Sequence, residues 1–236
     1  MNSNVNEVLN DANKELSKPL KVLVVGASGG TGKAVVAKLL AQGHKVSAFA
    51  RTATALGRNY AGLLTINGDV TKQSDIDEAV VGQDVVIVTL GISENPLRVR
   101  LFGSKSTANN VRSLGTRNVI SAMHKHGVKR LIVQSSFGVG ETRGLLGFID
   151  QLFFSLLLKP QIADTEIQEK VVRESGLDWV LAQPVHLTDE ESEIPPFVST
   201  NGQARLMKVA RKSVAHFLSL AVHEADYLGK SVAISG

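Results

Sequence analysis

Apolar residues recur along this chain in two alternating rhythms. Short unbroken runs at Leu20–Val25, Val46–Ala50, Leu63–Ile66, Asp84–Leu90, Arg130–Gln134, Asp178–Ala182 and Ser231–Ile234 have the continuous apolar character of strands covered on both faces. Between them, apolar residues return every three or four positions, which predicts helices. Lys33–Gln42 carries Val36, Leu39 and Leu40, with Gly43 as its C-terminal stop. Ser74–Val80 is a short helix with Ser74 as its N-cap. Thr107–His126 turns Val111, Leu114, Val119, Ala122 and Met123 inward, Ile162–Glu174 follows, and Arg211–His223 does the same with Val214, Phe217, Leu218 and Ala221. Strand alternating with helix in this way requires right-handed crossovers and a parallel sheet, so the expected fold is α/β, a doubly wound parallel sheet of Rossmann type in a single domain.

Three stretches fall outside the rhythm. Residues 1–19 form an N-terminal extension, either a weak amphipathic helix over Asn4–Leu16 or a loosely docked segment. Leu145–Leu158 is very apolar and reads equally as a packing helix, as a lid over a substrate cleft or as a dimer surface. A polar loop with Pro195 and Pro196 precedes the last helix. The organisation expected is therefore a dinucleotide-binding domain over residues 20–236, with a small C-terminal lobe of substrate-side segments around 139–163 and 184–210.

Composition narrows the class. The chain has 236 residues, 43% hydrophobic, which is enough for a sizeable core. It has no cysteine, which excludes disulfides, thiolate metal sites and a cysteine nucleophile. Its other histidines, His44, His124, His126, His216 and His223, lack metal spacing with nearby carboxylates and read as surface or helix-end residues, so no metal is expected. The N-terminus has no apolar core for a secretory signal and no run spans a bilayer. The expectation is a soluble, cytoplasmic protein, monomeric or homodimeric, with no membrane partner. The net charge of +4 favours anionic ligands. The basic residues are scattered and aromatics make up 5% of the chain, so a phosphate-bearing small molecule is expected and nucleic acid is not. Arg98, Arg100, Lys105, Arg112 and Arg117 read as a solvated face or, for those nearest the fourth-strand loop, as contacts for an anionic tail of an acceptor.

The chemistry concentrates where strands end. Gly26-Ala27-Ser28-Gly29-Gly30-Thr31-Gly32 joins the first strand to the first helix. Glycines there let the backbone approach a pyrophosphate, whose charge rests on the helix N-terminus. Arg51 stands at the end of the second strand, where an acidic residue would bind the free ribose of NAD, and its planar fork suits the 2′-phosphate of NADP. Asp69 ends the third strand, placed to accept from an adenine amino group with Val70 against the ring. Leu90 and Gly91 end the fourth, where the backbone passes close to a cofactor. Asp164, Glu166, Glu169 and Lys170 read as the charged solvent face of their helix.

The glycine loop, Arg51, Gly68-Asp69-Val70, the run from Gly82 to Gly91, Gly115 to Met123 and Arg173 to Pro184 together resemble the atypical short-chain dehydrogenases of the NAD(P)H-binding type. Within them the chain is similar to the biliverdin-IXβ reductase, or NADPH-dependent flavin reductase, family. The resemblance runs from Leu20 to Gly236. It implies an NADP(H) site along Gly26, Ser28, Gly29, Gly30, Thr31, Gly32, Arg51, Asp69, Val70, Leu90 and Gly91. Ser135 and Ser136 would lie beside the nicotinamide, Pro184 close by, and His186 would flank the acceptor pocket. Ser136 would orient rather than attack.

One departure decides the chemistry expected. Short-chain dehydrogenases protonate a carbonyl oxygen with a Tyr-xxx-Lys pair. Here the two tyrosines, Tyr60 and Tyr227, have no lysine four residues on. Hydride transfer to a flavin, bilin or other conjugated acceptor fits better, with the flavin a substrate rather than a bound cofactor. The alternatives are an NADP(H)-binding redox sensor without turnover, and a sugar-type epimerase or isomerase of the same fold.

Overall fold

The computed structural model describes residues 18–57, 60–91, 110–145, 159–192 and 194–236. The strands are Lys21–Val25 (β1), Lys45–Ala50 (β2), Leu63–Asn67 (β3), Val85–Val88 (β4), Arg130–Gln134 (β5), Asp178–Pro184 (β6), His186–Thr188 (β7), Phe197–Ser199 (β8), Lys208–Ala210 (β9) and Lys230–Ser235 (β10). The helices are Gly30–Ala41 (α1), Gln73–Val80 (α2), Val111–His126 (α3), Lys159–Arg173 (α4) and Arg211–Leu220 (α5). Among the described residues the main sheet runs β3-β2-β1-β4-β5-β6-β10-β8, parallel except where β8 lies antiparallel on β10, and β7 and β9 form a small parallel ribbon. This is the doubly wound Rossmann arrangement, and the strand order reverses between β1 and β4, which opens a crevice at the carboxyl ends of those strands.

Strand β1 shows why its residues must all be apolar. Val22 and Val24 face one cluster with Val35 and Leu39 of α1 and Phe217 and Leu218 of α5. Leu23 and Val25 face the other, with Ile76 of α2 and Val119 and Met123 of α3. Each such side chain contributes about 1.5–3 kcal/mol by leaving water. Because successive side chains point to opposite faces, covering both faces removes any polar alternation.

Local chemistry departs from the sequence pattern at several places. Helix α1 begins at Gly30, three residues before its apolar pattern, so two glycines of the loop sit in its first turn. Gly43, with φ of +84°, follows the C-cap in the left-handed region. Ser74 lies inside α2 rather than capping it. Residues 184–210 carry three strands of three residues each, too short to leave a period in the sequence. Helix α3 is capped from outside: the Asp164 carboxylate on α4 accepts the N–H groups of Arg112 and Ser113 at 3.0 and 3.1 Å. Asp164 and Glu169 are buried, not part of a solvated face. The expected features at residues 1–17, Arg98, Arg100, Lys105 and most of Leu145–Leu158 lie outside the described residues.

His44 is buried as well, against the expectation of a surface position. Its Nδ1 accepts the Leu20 N–H at 3.1 Å, and its ring lies 5.3 Å from that of His223. Burial first, and then the His223 charge, hold His44 below its ordinary value of 6.5. Burial and Arg130 depress His223, against the pull of Glu224. Groups depressed in the fold stabilise it above their unfolded values, and that stability is lost as pH falls through the folded values. The thermal midpoint of the protein is therefore expected to drop from about pH 7 to about pH 5, and to drop less in His44→Gln. Equal slopes in the two proteins would remove the histidine pair as the cause.

Candidate functional site

The crevice holds a cleft of about 440 Å³ whose walls are the exits of four parallel strands. Gly26, Ser28, Gly29, Gly30 and Thr31 form one side. Phe49, Ala50 and Arg51 of the β2 exit and Gly68, Asp69, Val70 and Thr71 of the β3 exit form one end. Thr89, Leu90 and Gly91 follow β4, Val111 and Arg112 begin α3, and Gln134, Leu187 and Arg211 complete the wall.

The loop is built so that only glycine fits at two of its positions. The N–H groups of Gly26 and Ala27 both donate to the Phe49 carbonyl, at 3.0 and 3.2 Å, which pins the turn to the end of β2. Gly26 has φ of +87°, and a Cβ there would stand 2.8 Å from the Thr89 carbonyl oxygen. At Gly32 a Cβ would stand 2.3 Å from the Gly26 carbonyl oxygen. Gly32 is accordingly buried under the loop and does not line the cleft. The first rung of α1 is the bond from Lys33 N–H to the Gly29 carbonyl, 2.9 Å. The N–H groups of Gly30, Thr31 and Gly32 therefore have no helical acceptor, and no acidic residue occupies that turn. Such a turn suits an anion.

At the β3 exit the Asp69 carboxylate accepts the Thr71 N–H at 3.0 Å and its hydroxyl at 2.7 Å. These bonds, the N–H first, hold the Asp69 carboxyl below the usual carboxylate range. It is ionised and oriented at neutral pH, an acceptor facing the cleft. The Val70 carbonyl is fixed by Asn118 at 2.8 Å, and Gly115 of α3 packs where a Cβ would meet Val70 and Leu90 at 2.9 and 2.8 Å. Arg112, expected in a solvated face, lines the cleft beside Gly91. Burial lowers its pKa against the pull of Asp164.

At the far end the arrangement is different. Ser135 is buried, and its hydroxyl donates to Glu169. The Ser136 hydroxyl donates to the Phe137 carbonyl at 3.3 Å. Pro184 is buried at the end of β6, and His186 is exposed on β7, while its neighbour Leu187 reaches the cleft. None of these four lines the cleft. Gln134 does, and its Oε1 is buried without a hydrogen-bond partner. Glu169 also accepts from Gln183 at 2.8 Å and from Arg173 at 3.0 Å, a buried carboxylate fully engaged below the β5 exit. Both tyrosines sit at the amino end of the sheet: Tyr60 precedes β3 and is exposed, and Tyr227 precedes β10 with its ring edge-on to Phe217. Among the described residues no three His, Asp or Glu side chains converge as a metal site would need, and no helix is long and apolar enough to cross a membrane.

Four cleft residues, Thr71, Gln134, Leu187 and Arg211, were not singled out by sequence reasoning. Thr71 was open to it, standing two residues after Asp69 in the spacing of an Asx turn. Gln134 was open to it as well, closing the fifth strand where a ligand is expected, whereas Leu187 and Arg211 reach the cleft only through tertiary packing.

The fold has counterparts among known proteins. An uncharacterized chloroplastic protein of Arabidopsis thaliana is 29% identical over 177 residues, 73% of this chain and 61% of the relative. The chain spans about a third of the length of several other curated relatives that it matches. A Rossmann-fold NAD(P)-binding protein from Shigella flexneri superposes with a TM-score of 0.68 at 26% identity, covering 92% of this chain and 93% of that one. An anaerobilin reductase of Escherichia coli O157:H7 shares the fold, with a TM-score of 0.70 at 24% identity, covering 91% and 95%. The model of the family described as NAD(P)H-binding matches residues 26–225. With the glycine loop, the helix N-terminus and the strand exits arranged around one cleft, the chain belongs to the NAD(P)H-binding family.

Proposed function

We propose that the protein is an NADPH-dependent reductase that passes hydride to a flavin, bilin or similar conjugated acceptor. The observation that carries this reading is that both tyrosines of the chain stand at the opposite end of the sheet from the cleft. No phenol is available there to protonate a carbonyl oxygen, whereas an extended conjugated acceptor takes its proton from solvent once hydride has arrived. The task left to the protein is orientation.

When bound, NADPH supplies the hydride from its nicotinamide. The residues present fit it: the loop admits a pyrophosphate against the free N–H groups of α1, and Arg51 offers a fork to the 2′-phosphate. Asp69 accepts at the adenine end, and the orphaned Gln134 Oε1 suits the carboxamide N–H of the nicotinamide. Ser136 and His186 are assigned to the acceptor side. The shared fold of an anaerobilin reductase supports a bilin-like acceptor.

The test is NADPH oxidation in the presence of FMN, FAD, riboflavin or biliverdin, in wild type and Arg51→Ala. Turnover with at least one acceptor is expected, and Arg51→Ala should weaken NADPH roughly 10- to 100-fold while leaving NADH nearly unchanged. Equal effects on the two cofactors would refute the 2′-phosphate role. Tight NADPH binding without oxidation by any acceptor would move the chain to the sensor class.

A further inference from the structure

Two helix N-termini and a guanidinium meet at the glycine loop. Arg211 is the first residue of α5, and α5 packs against α1. Its side chain lies flat on Gly30, the first residue of α1, so closely that a Cβ on Gly30 would stand 2.7 Å from Arg211 Cδ and 2.9 Å from Nε. Neither helix has an acidic residue in its first turn. A cation placed between two positive helix ends is held against its electrostatic preference unless an anion joins it. The chain supplies one, Asp189, whose Oδ1 accepts from Arg211 Nη1 at 2.6 Å. Asp189 is a weak counterion, because its side chain is 86% exposed while that of Arg211 is 28% exposed. Asp189 directly follows β7, two positions after Leu187 of the cleft wall.

We propose that Arg211 closes over the pyrophosphate of the bound dinucleotide and gives up Asp189 to do so. This rests on the NADP(H) site described above and adds to it a residue and an exchange. The guanidinium carries five donors in a planar fork, which suits bridging phosphate oxygens. A doubly charged pyrophosphate against the α1 N–H groups is a better partner for it than one exposed carboxylate. Cofactor arrival thereby releases Asp189 alone, because Thr188 stays paired with Ala210 and the next two carboxylates, Glu190 and Glu191, stay on Lys208 and Lys212. Arg211 is a binding residue in this account, and Asp189 is its displaced stand-in.

The experiment is titration of NADP+ by calorimetry, without acceptor, on wild type, Arg211→Met, Arg211→Lys, Asp189→Asn and the double variant Arg211→Met/Asp189→Asn. Arg211→Met should weaken NADP+ roughly 10- to 100-fold and Arg211→Lys by less. Asp189→Asn should tighten it roughly two- to fivefold, and should change nothing when Arg211 is already Met. A structural ion pair would give losses of the same sign from either side, so weakening by Asp189→Asn overturns the proposal. So does tightening that persists in the double variant, or an affinity indifferent to Arg211. Glu190→Gln, which removes a neighbouring carboxylate bonded to Lys208 at 3.2 Å, serves as the charge control and should leave the affinity unchanged. A tightening equal to that of Asp189→Asn would overturn the exchange. Failure of the reductase reading would show separately, as NADPH binding without turnover.

Discussion

Replacing Gly32 with alanine is expected to abolish NADP(H) binding and to destabilise the fold by roughly 3 kcal/mol. The added Cβ would stand 2.3 Å from the Gly26 carbonyl oxygen, 2.9 Å from Ala27 Cα and 3.0 Å from the Gly26 carbonyl carbon. All three are backbone atoms of a turn already pinned to Phe49, so no side chain can swing away to make room. The turn must open, and the anion seat opens with it. Gly29→Ala is the informative partner. There the backbone is extended, with φ of −72° and ψ of 165°, and a Cβ would meet only the Gly26 carbonyl oxygen, at 3.4 Å. Stability should change by less than about 0.5 kcal/mol, whereas NADP+ affinity should still fall because the methyl group intrudes on the cleft wall. Thermal melts and NADP+ titrations of the two variants separate them. An alanine at position 32 that melts with wild type would show the loop to be far more compliant than its contacts imply.

The second large effect is expected at Glu169. Its carboxylate is 1% exposed and is bonded by Ser135, Gln183 and Arg173. Glu169→Leu leaves the Arg173 charge without its buried partner, with only Ser231 and the exposed Glu141 remaining to it, orphans the Ser135 hydroxyl, and leaves the Gln183 amide with only its 3.3 Å bond to the Val139 carbonyl. Removing one side of a buried pair costs about 3–5 kcal/mol, which in a chain of this length lowers the melting temperature by roughly 6–20 °C. Glu169→Gln keeps the shape and one acceptor oxygen and should lose less. Since Ser135 lies one residue from Ser136, the leucine variant should also disturb the β5 exit, visible as weaker NADP+ binding. A leucine variant that melts within about 2 °C of wild type would mean that the cluster adds little to the fold.

How much of this was open to sequence reasoning follows from how local each feature is. The seven parallel strands of the main sheet were legible because burial on both faces forces unbroken apolar runs, as in Val22 to Val25, whereas the three-residue antiparallel edge strand β8 was not. The loop was legible because its demands are met by glycines a few residues apart. Gly26 and Gly32 constrain each other directly, and Arg51 and Asp69 stand at strand ends that the alternating pattern already locates. Arg211 was not legible: it is 181 positions beyond Gly30, and in sequence it is an ordinary basic residue opening an amphipathic helix. Asp164 and Glu169 failed for a related reason. A charged residue on a helix looks solvated until the partners that bury it are known, and theirs come from α3, β5 and β6. Ser135 lies beside the β5 exit, but which way its hydroxyl turns depends on Glu169 beneath it.

The packing of α3 and α4 bears on the size of ligand that the cleft accepts. Val70 and Leu90, from two strand exits, press on Gly115 of α3. The start of that helix is fastened to α4 by Asp164, and Gln168 of α4 bonds Thr116 at 2.9 Å. The next residue, Glu169, grips Ser135 at the β5 exit. The two helices thus act as a gauge laid along one flank of the sheet, fixing the span between the β3 and β5 exits. A ligand of dinucleotide length is measured against that gauge, so a mutation that shortens or lengthens it should alter which cofactor fits without touching a single cofactor contact.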